Sequence, residues 1–246
     1  MPTETLRDAR LLALETDAIH GLVPGGGGGP PRLRDTTVRA VWAGTPRASL
    51  LALGKDVPPP PRPAAGPEAQ GDASPGEPPA VLLRLAASLG APSGGSRPVT
   101  VEGGPSFVFP GRLPDPPAPP LPLLVSDAEG RREAQRLRRP GNWEEDEWAE
   151  LIRGGLGPWA MAVHRAEPVS VCHTPASNAL SAEAGIWTRA DFRGRGLAPA
   201  AVAAWAALER PAREVLFYST GADNHASRAV ARTLGLTPLG WIWRLR

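Results

Sequence analysis

The 31 prolines of this 246-residue chain fall in clusters, and the clusters limit every architecture open to it. Proline removes a backbone donor and clashes with the preceding helical turn, so neither a helix nor a central strand runs through several of them. Nine lie in residues 58–79 and six in residues 114–122, "PDPPAPPLP", while residues 25–29 are five glycines followed by Pro30 and Pro31. Such segments bury too little apolar surface to offset the entropy of ordering them, and polyproline stretches act as semi-rigid spacers. The glycine run therefore reads as a loop, residues 56–79 as a mobile insertion and 114–122 as a linker. Two packable parts remain: an N-terminal α/β region, 1–113, and a C-terminal domain, 123–246.

Hydrophobic periodicity assigns the elements between these seams. "LRDARLLALETDAIHGLV" (6–23) repeats leucine at helical spacing and ends at glycine. "TTVRAVWAG" and "ASLLALG" pair as strands across "TPR", "AVLLRLAASLG" (80–90) is a short helix, and "VTVEGGPSFVFP" (99–110) reads as two strands around Gly103-Gly104. In the C-terminal part, 127–139 is a polar helix or helical turn, and 142–155 a helix with Asn142 as its N-cap and a glycine stop. Strands follow at 158–165, 168–175 and 182–188, then an alanine-rich helix (197–209), a strand (213–220), a helix (224–235) and a last strand (239–246). The order helix, three strands, helix, strand, helix, strand implies an α/β (α+β) fold, a mixed central sheet with helices on its faces.

Composition excludes several functions. The formal charge is only +2 and the arginines are scattered, so the chain lacks the basic stripe of a nucleic-acid binder. Cys172 is the single cysteine, which rules out an internal disulfide, and four histidines without ligand spacing argue against a metal. Acids scattered through residues 1–17, with no apolar stretch of signal or membrane-spanning length, point to a soluble cytoplasmic protein without a membrane partner.

"DFRGRGLAPAAVAAWAALE" (191–209) sets flexible and cationic residues at the mouth of a rigid helix. A helix N-terminus offers unpaired N–H groups and partial positive charge, glycine lets an anion approach the backbone, and arginine suits phosphate oxygens. A Walker loop would need Gly-Lys-Ser/Thr, which is absent, and a dinucleotide fingerprint begun at Gly194 meets Pro199 at its third small position. Arg193-Gly194-Arg195-Gly196-Leu197-Ala198 matches R/Q-x-x-G-x-G/A instead. This resembles the pyrophosphate motif of GNAT-family N-acetyltransferases, and Pro199 is tolerated in the first helical turn. Downstream, Asn224, Ser227 and Leu234-Gly235-Leu236 resemble the family's second cofactor segment, about 26 residues on with a strand between. The resemblance spans roughly residues 125–246.

The resemblance implies an acyl-CoA N-acyltransferase fold and acetyl-CoA as co-substrate, with no metal. Ile186, Trp187 and Thr188 would offer backbone groups to the pantetheine arm. Arg193, Gly194, Arg195, Gly196, Leu197 and Ala198 would surround the pyrophosphate, and Asn224 and Ser227 would also face the cofactor. Amine attack on a thioester needs a base for the amine and an acid for the leaving thiolate. Glu183, on the strand before the turn, is the candidate base. The tyrosine that many relatives carry seven positions after the helix-opening Asn is replaced by Ala231, leaving Tyr218, the sole tyrosine, as a relocated acid or a half-buried core aromatic.

Cys172 and His173 are strand neighbours and so point to opposite faces, which makes them core residues rather than a nucleophilic pair. Glu144, Glu145, Asp146, Glu147 and Glu150 form either an ordinary solvated first turn or an attractor for a cationic amine. Trp143, Trp148 and Trp159 are expected to cover the sheet; Trp241 and Trp243 face one side of the last strand, which could be an exposed edge. Two functions follow: an acetyl-CoA-dependent N-acetyltransferase acting on a small-molecule amine or a protein amino group, as monomer or homodimer, or a non-catalytic acyl-CoA-binding or interaction module on the same scaffold.

Overall fold

Gly21 halts the first helix, and the strands that follow it are short. The computed structural model describes residues 2–60, 76–90, 99–114 and 118–246. Most of the insertion expected at 56–79, and residues 115–117 of the 114–122 linker, lie outside these residues. The chain divides into two compact units. The first holds residues up to 107 with 219–225 and 238–246; the second holds 108–218 with 226–237. The division therefore differs from the proline-based one, because the last strand pairs inside the first unit and residues 108–114 and 118–122 join the second. Among the described residues no helix is long and apolar enough to cross a membrane.

In the first unit, α1 (Pro2–His20) ends where Gly21 adopts φ +64°. The strands are β1 (Leu22–Val23), β2 (Arg32–Leu33), β3 (Ala40–Gly44), β4 (Ser49–Leu53), β5 (Val101–Val108) and β11 (Thr237–Leu245), in the order β1-β2-β4-β3-β11-β5. β3 and β4 form the expected hairpin, its turn fixed by Thr45, whose hydroxyl accepts from the N–H groups of Arg47 and Ala48 at 3.0 Å. One face packs Leu12 of α1 on Val41, Ala43 and Ile242. The other packs Leu82 and Leu85 of α2 (Ala80–Leu89) on Trp243 and Leu245, as alternation along the last strand requires.

Two expectations fail here. β11 is not an edge: it lies between β3 and β5, with Trp243 opposite Trp42. Residues 99–110 form one strand rather than two, since Gly103 and Gly104 serve close packing. A Cβ on Gly103 would stand 2.4 Å from the Trp243 ring, and one on Gly104 would stand 1.8 Å from the Thr220 carbonyl oxygen.

The second unit carries β6 (Leu123–Val125), β7 (Trp159–His164), β8 (Glu167–Ser177), β9 (Ser181–Thr188) and β10 (Val215–Ser219), in the order β10-β9-β8-β7-β6. β9 and β10 run parallel and the rest antiparallel, giving the expected mixed sheet. The β7–β8 turn uses Arg165 and Ala166, both at positive φ, as a tight hairpin needs. β6 was not anticipated, being three residues beside prolines.

Helices cover both faces of this sheet. On one, Ala134 of α3 (Ala128–Ala134) and Trp148 and Leu151 of α4 (Glu145–Arg153) pack with Trp143 on Trp159, Met161 and Val171. The tryptophans thus cover the sheet as expected. Asn142 is not the N-cap of α4: Glu144 holds that position, after a turn in which Trp143 N–H bonds the Pro140 carbonyl. Gly154, at φ +82°, supplies the expected stop. On the other face, α5 (Leu197–Glu209) lays Leu197 on Ala162 and Val169 with Leu121, so part of the proline-rich stretch is core rather than linker. α6 (His225–Thr233) precedes the last strand.

Candidate functional site

The parallel pairing of β9 with β10 is brief: Ser181, Ala182 and Glu183 stand opposite Val215, Leu216 and Phe217. Ala184–Thr188 then continues on β8 alone, with Ile186, Trp187 and Thr188 opposite Cys172, Val171 and Ser170. Among the described residues of this unit, the β10-facing backbone edge of β9 has no strand partner from Ala184 onward. An unpaired edge with half-buried side chains is what an extended amide-bearing arm would pair with.

The strand leads through a 3₁₀ turn, Ala190–Phe192, into the glycine-arginine segment. Gly194 (φ +74°) and Gly196 (φ +77°) both lie in the left-handed region, and a Cβ on either would meet nothing within 4 Å. Glycine is thus required by conformation, and the space beside the backbone is open. Gly196 is the N-cap of α5, which has no side-chain cap and no acidic residue in its first turn. The N–H groups of Leu197 and Ala198, Pro199 having none, are thus left without a side-chain cap.

Phe192, buried, organises the arginines, a role the sequence reading did not assign to it. Arg189 and Arg195 place their guanidinium carbons 4.5 and 4.7 Å from its ring centroid. Arg189 also pairs with Asp191 at 2.8 Å and Glu167 at 3.0 Å, which raises the guanidinium pKa, chiefly through Asp191, and lowers that of the Asp191 carboxyl. Arg195 donates to the Asp191 carbonyl at 2.8 Å and Arg193 to the Thr188 carbonyl at 3.2 Å. Each guanidinium has five donors, so these anchors leave others for a ligand. Leu197 is core, whereas Arg193 and Arg195 are exposed and Ala198 is half-buried.

Glu183 is 6% exposed and is the last residue of β9 to pair with β10, opposite Ala176 on β8 and Phe217 on β10. Tyr218, one residue beyond Phe217, is 1% exposed. Burial raises its pKa, a hydrogen bond with Ser227 of α6 opposes the rise, and Cys172 and Glu183 add to it. Ser227 thus meets Tyr218, while Asn224 lies in the segment 219–225 of the first unit, its N–H bonded to the Gly221 carbonyl at 3.1 Å. Ala231 is fully buried.

Cys172 and His173 separate as expected. Cys172 is buried, its pKa pushed far up by burial with Glu209 adding to the effect. His173 stands edge-on to Trp143 at 5.1 Å, and burial holds its pKa down to about 4. The acids at 144–147 and 150 are exposed on α4. Among the described residues no group of three His, Cys, Asp or Glu side chains could hold a metal. A buried trio also escaped sequence reading: Thr174 donates to Glu209 at 2.5 Å and accepts from the Trp205 indole at 2.9 Å.

Residues 118–237 match the acetyltransferase (GNAT) domain. No curated protein is significantly similar to the chain. Similar solved structures include a GCN5-related N-acetyltransferase from Kribbella flavida, 21% identical over 67% of this chain and 62% of that one, with a TM-score of 0.46. A GCN5-related N-acetyltransferase-like protein from Streptococcus suis is 18% identical over 67% of each chain, at 0.43. A GNAT-family acetyltransferase from Colwellia psychrerythraea is 15% identical over 61% of this chain and 57% of its own, at 0.40. This chain thus spans less than two thirds of the Kribbella and Colwellia proteins. Residues 118–237, which carry the open strand edge and the glycine-arginine turn, are a domain of the GNAT acetyltransferase family.

Proposed function

We propose that the second unit is an acetyl-CoA-dependent N-acetyltransferase. The observation that carries this reading is the uncapped N-terminus of α5, opened by two left-handed glycines with empty space beside them and preceded by arginines anchored on Phe192. Fixed backbone donors, partial positive charge and guanidinium groups together suit a pyrophosphate. The unpaired edge of residues 184–188 would take the amide-bearing arm of the same molecule.

Acetyl-CoA would supply an activated thioester. In this reading Glu183 accepts a proton from the acceptor ammonium or amine, whose nitrogen forms the new bond to the acyl carbon as the carbon–sulfur bond breaks. Tyr218 gives its phenolic proton to the departing sulfur, and Ser227 orients the phenol. The acceptor is a primary amine, on a small molecule or a protein, and the exposed acids of α4 would raise the local concentration of a cation.

A second reading has a specific observation behind it: Ala231 stands where many relatives carry tyrosine, and Tyr218 is 1% exposed. On that reading the unit binds acyl-CoA without turnover. Calorimetric titration with acetyl-CoA and CoA, of wild-type protein and Gly196→Trp, tests the shared premise. Binding abolished in the variant supports it, and absence of wild-type binding near millimolar ligand overturns both readings. Thiol release on adding amines then separates enzyme from binder.

A further inference from the structure

β8 carries an extra residue where β9 leaves β10. The register runs Cys172 opposite Ile186 and His173 opposite Gly185, then resumes with Ala176 opposite Glu183. Thr174 and Pro175 therefore both stand against Ala184, a bulge of the two-against-one kind that bends a strand and increases its local twist. Proline adds to the break because it has no N–H for the ladder. The neighbouring strand is fitted to the irregularity: a Cβ on Gly185 would come within 2.9 Å of His173 Cε1 and 3.0 Å of Pro175 Cδ. Glu183, last to pair with β10, and Gly185 bracket the position where β9 departs.

The bulge is pinned from α5. Thr174 Oγ1 donates to Glu209 Oε1 at 2.5 Å and accepts from Trp205 Nε1 at 2.9 Å, while Glu209 is 1% exposed. Glu209 Oε2 accepts from Arg213 Nε at 3.4 Å, and Arg213 donates to the Asn178 carbonyl at 2.7 Å. One buried carboxylate thus fixes both ends of the 174–178 stretch. A buried carboxylate is retained only where its lone pairs are met, so the geometry is narrowly set.

We propose that Thr174 and Glu209 are positioning residues for the pantetheine arm of an acyl-CoA: by locking the β8 bulge they hold residues 184–188 of β9 away from β10 and keep that backbone edge free. The inference rests on the acyl-CoA reading. It separates the two ends of the ligand, because Glu209 closes α5 while the phosphate turn opens it, roughly 20 Å away along the 13-residue helix.

That separation gives the test. CoA and adenosine 3′,5′-bisphosphate, which lacks the arm, are titrated calorimetrically into the full chain and into Thr174→Val, Thr174→Ser and Gly185→Ala. Thr174→Val loses a hydrogen bond to a charged group, and CoA affinity falls about tenfold, while the bisphosphate stays within about twofold and reports an intact fold. Thr174→Ser keeps the hydroxyl and restores CoA binding. Gly185→Ala pushes on the bulge from the other strand and selectively weakens CoA, which covers a failure of Thr174→Val to fold. Equal losses for both ligands, or unchanged CoA affinity in both disruptive variants, overturn the proposal. Wild-type protein that binds neither ligand overturns the acyl-CoA reading itself, and the clamp's role with it.

Discussion

The guanidinium of Arg195 lies 4.7 Å from the ring centroid of Phe192, and that of Arg189 lies 4.5 Å from the same ring. A single buried aromatic thus holds two cations at the approach to α5, and its ring also meets His164 at 5.1 Å. Leucine at 192 would fill most of the volume without the negative face that attracts the guanidinium groups. Phe192→Leu is expected to weaken CoA binding by about three- to tenfold, with a melting temperature within a few degrees of wild type. Calorimetry alongside thermal unfolding checks this. An equal loss of affinity in Phe192→Tyr, which keeps the ring, would show that packing and not the aromatic face is at work.

Gly196 calls for a substitution that adds strain without a clash. At φ +77° and with nothing within 4 Å of its Cβ position, an alanine there pays for left-handed backbone alone, about 1–2 kcal/mol. Gly141 also has open space but no positive φ, so Gly141→Ala is the matched control and is expected to stay within about 0.5 kcal/mol of wild type. Denaturant unfolding of both variants measures the difference. CoA titration adds a second readout, since the methyl also crowds the donors, and Gly196→Ala should lose about tenfold or more in affinity.

What the sequence disclosed and what it withheld divide by range. The glycine-arginine turn was legible because all of it, Arg193 to Ala198, is consecutive in the chain. The helix over residues 197–209 and its neighbouring strands were legible because alternation and glycine stops are local signals. Gly103 and Gly104 misled for a physical reason: glycine marks both turns and close approaches, and only the ring of Trp243 and the carbonyl of Thr220 decide between them. Thr174, Trp205 and Glu209 could not be found at all, since 31 and 35 residues separate the partners and none carries a motif. The last strand read as an edge because its pairing with β3 joins residues about 200 positions apart.

Acid should weaken this fold through two histidines. Burial holds His173 down to about 4, and it also lowers His20, where Arg244 and Arg246 add repulsion that the 2.8 Å hydrogen bond to Asp35 only partly offsets. Both groups have lowered folded-state values, so the unfolded chain binds more protons below pH 6.5. Stability is then fully present above that value and lost as pH falls toward 4. His173 alone accounts for at most about 3 kcal/mol over that range. His173→Phe keeps a ring against Trp143 and removes the titration, and His20→Asn keeps a donor for Asp35. The double variant is expected to show a markedly flatter dependence of unfolding free energy on pH between 6.5 and 4.5. A slope equal to wild type would assign the acid sensitivity to carboxylates instead.

Tyr218 separates catalysis from mere packing. Its phenol is 1% exposed and burial raises its pKa, so at neutral pH it can only donate a proton. If it protonates the leaving thiolate, Tyr218→Phe lowers kcat by about a hundredfold and leaves the KM for acetyl-CoA near its wild-type value. The same change removes a buried hydroxyl and its interaction with Ser227, about 1 kcal/mol of stability, whether or not the residue is catalytic. Ser227→Ala keeps the acid but frees its orientation, so its loss in kcat should be smaller than that of Tyr218→Phe. Steady-state kinetics with a reactive amine, beside denaturant unfolding of both variants, distinguish the cases. A full kcat in Tyr218→Phe with the same small stability loss would make Tyr218 a core residue, and thiolate protonation would then fall to solvent.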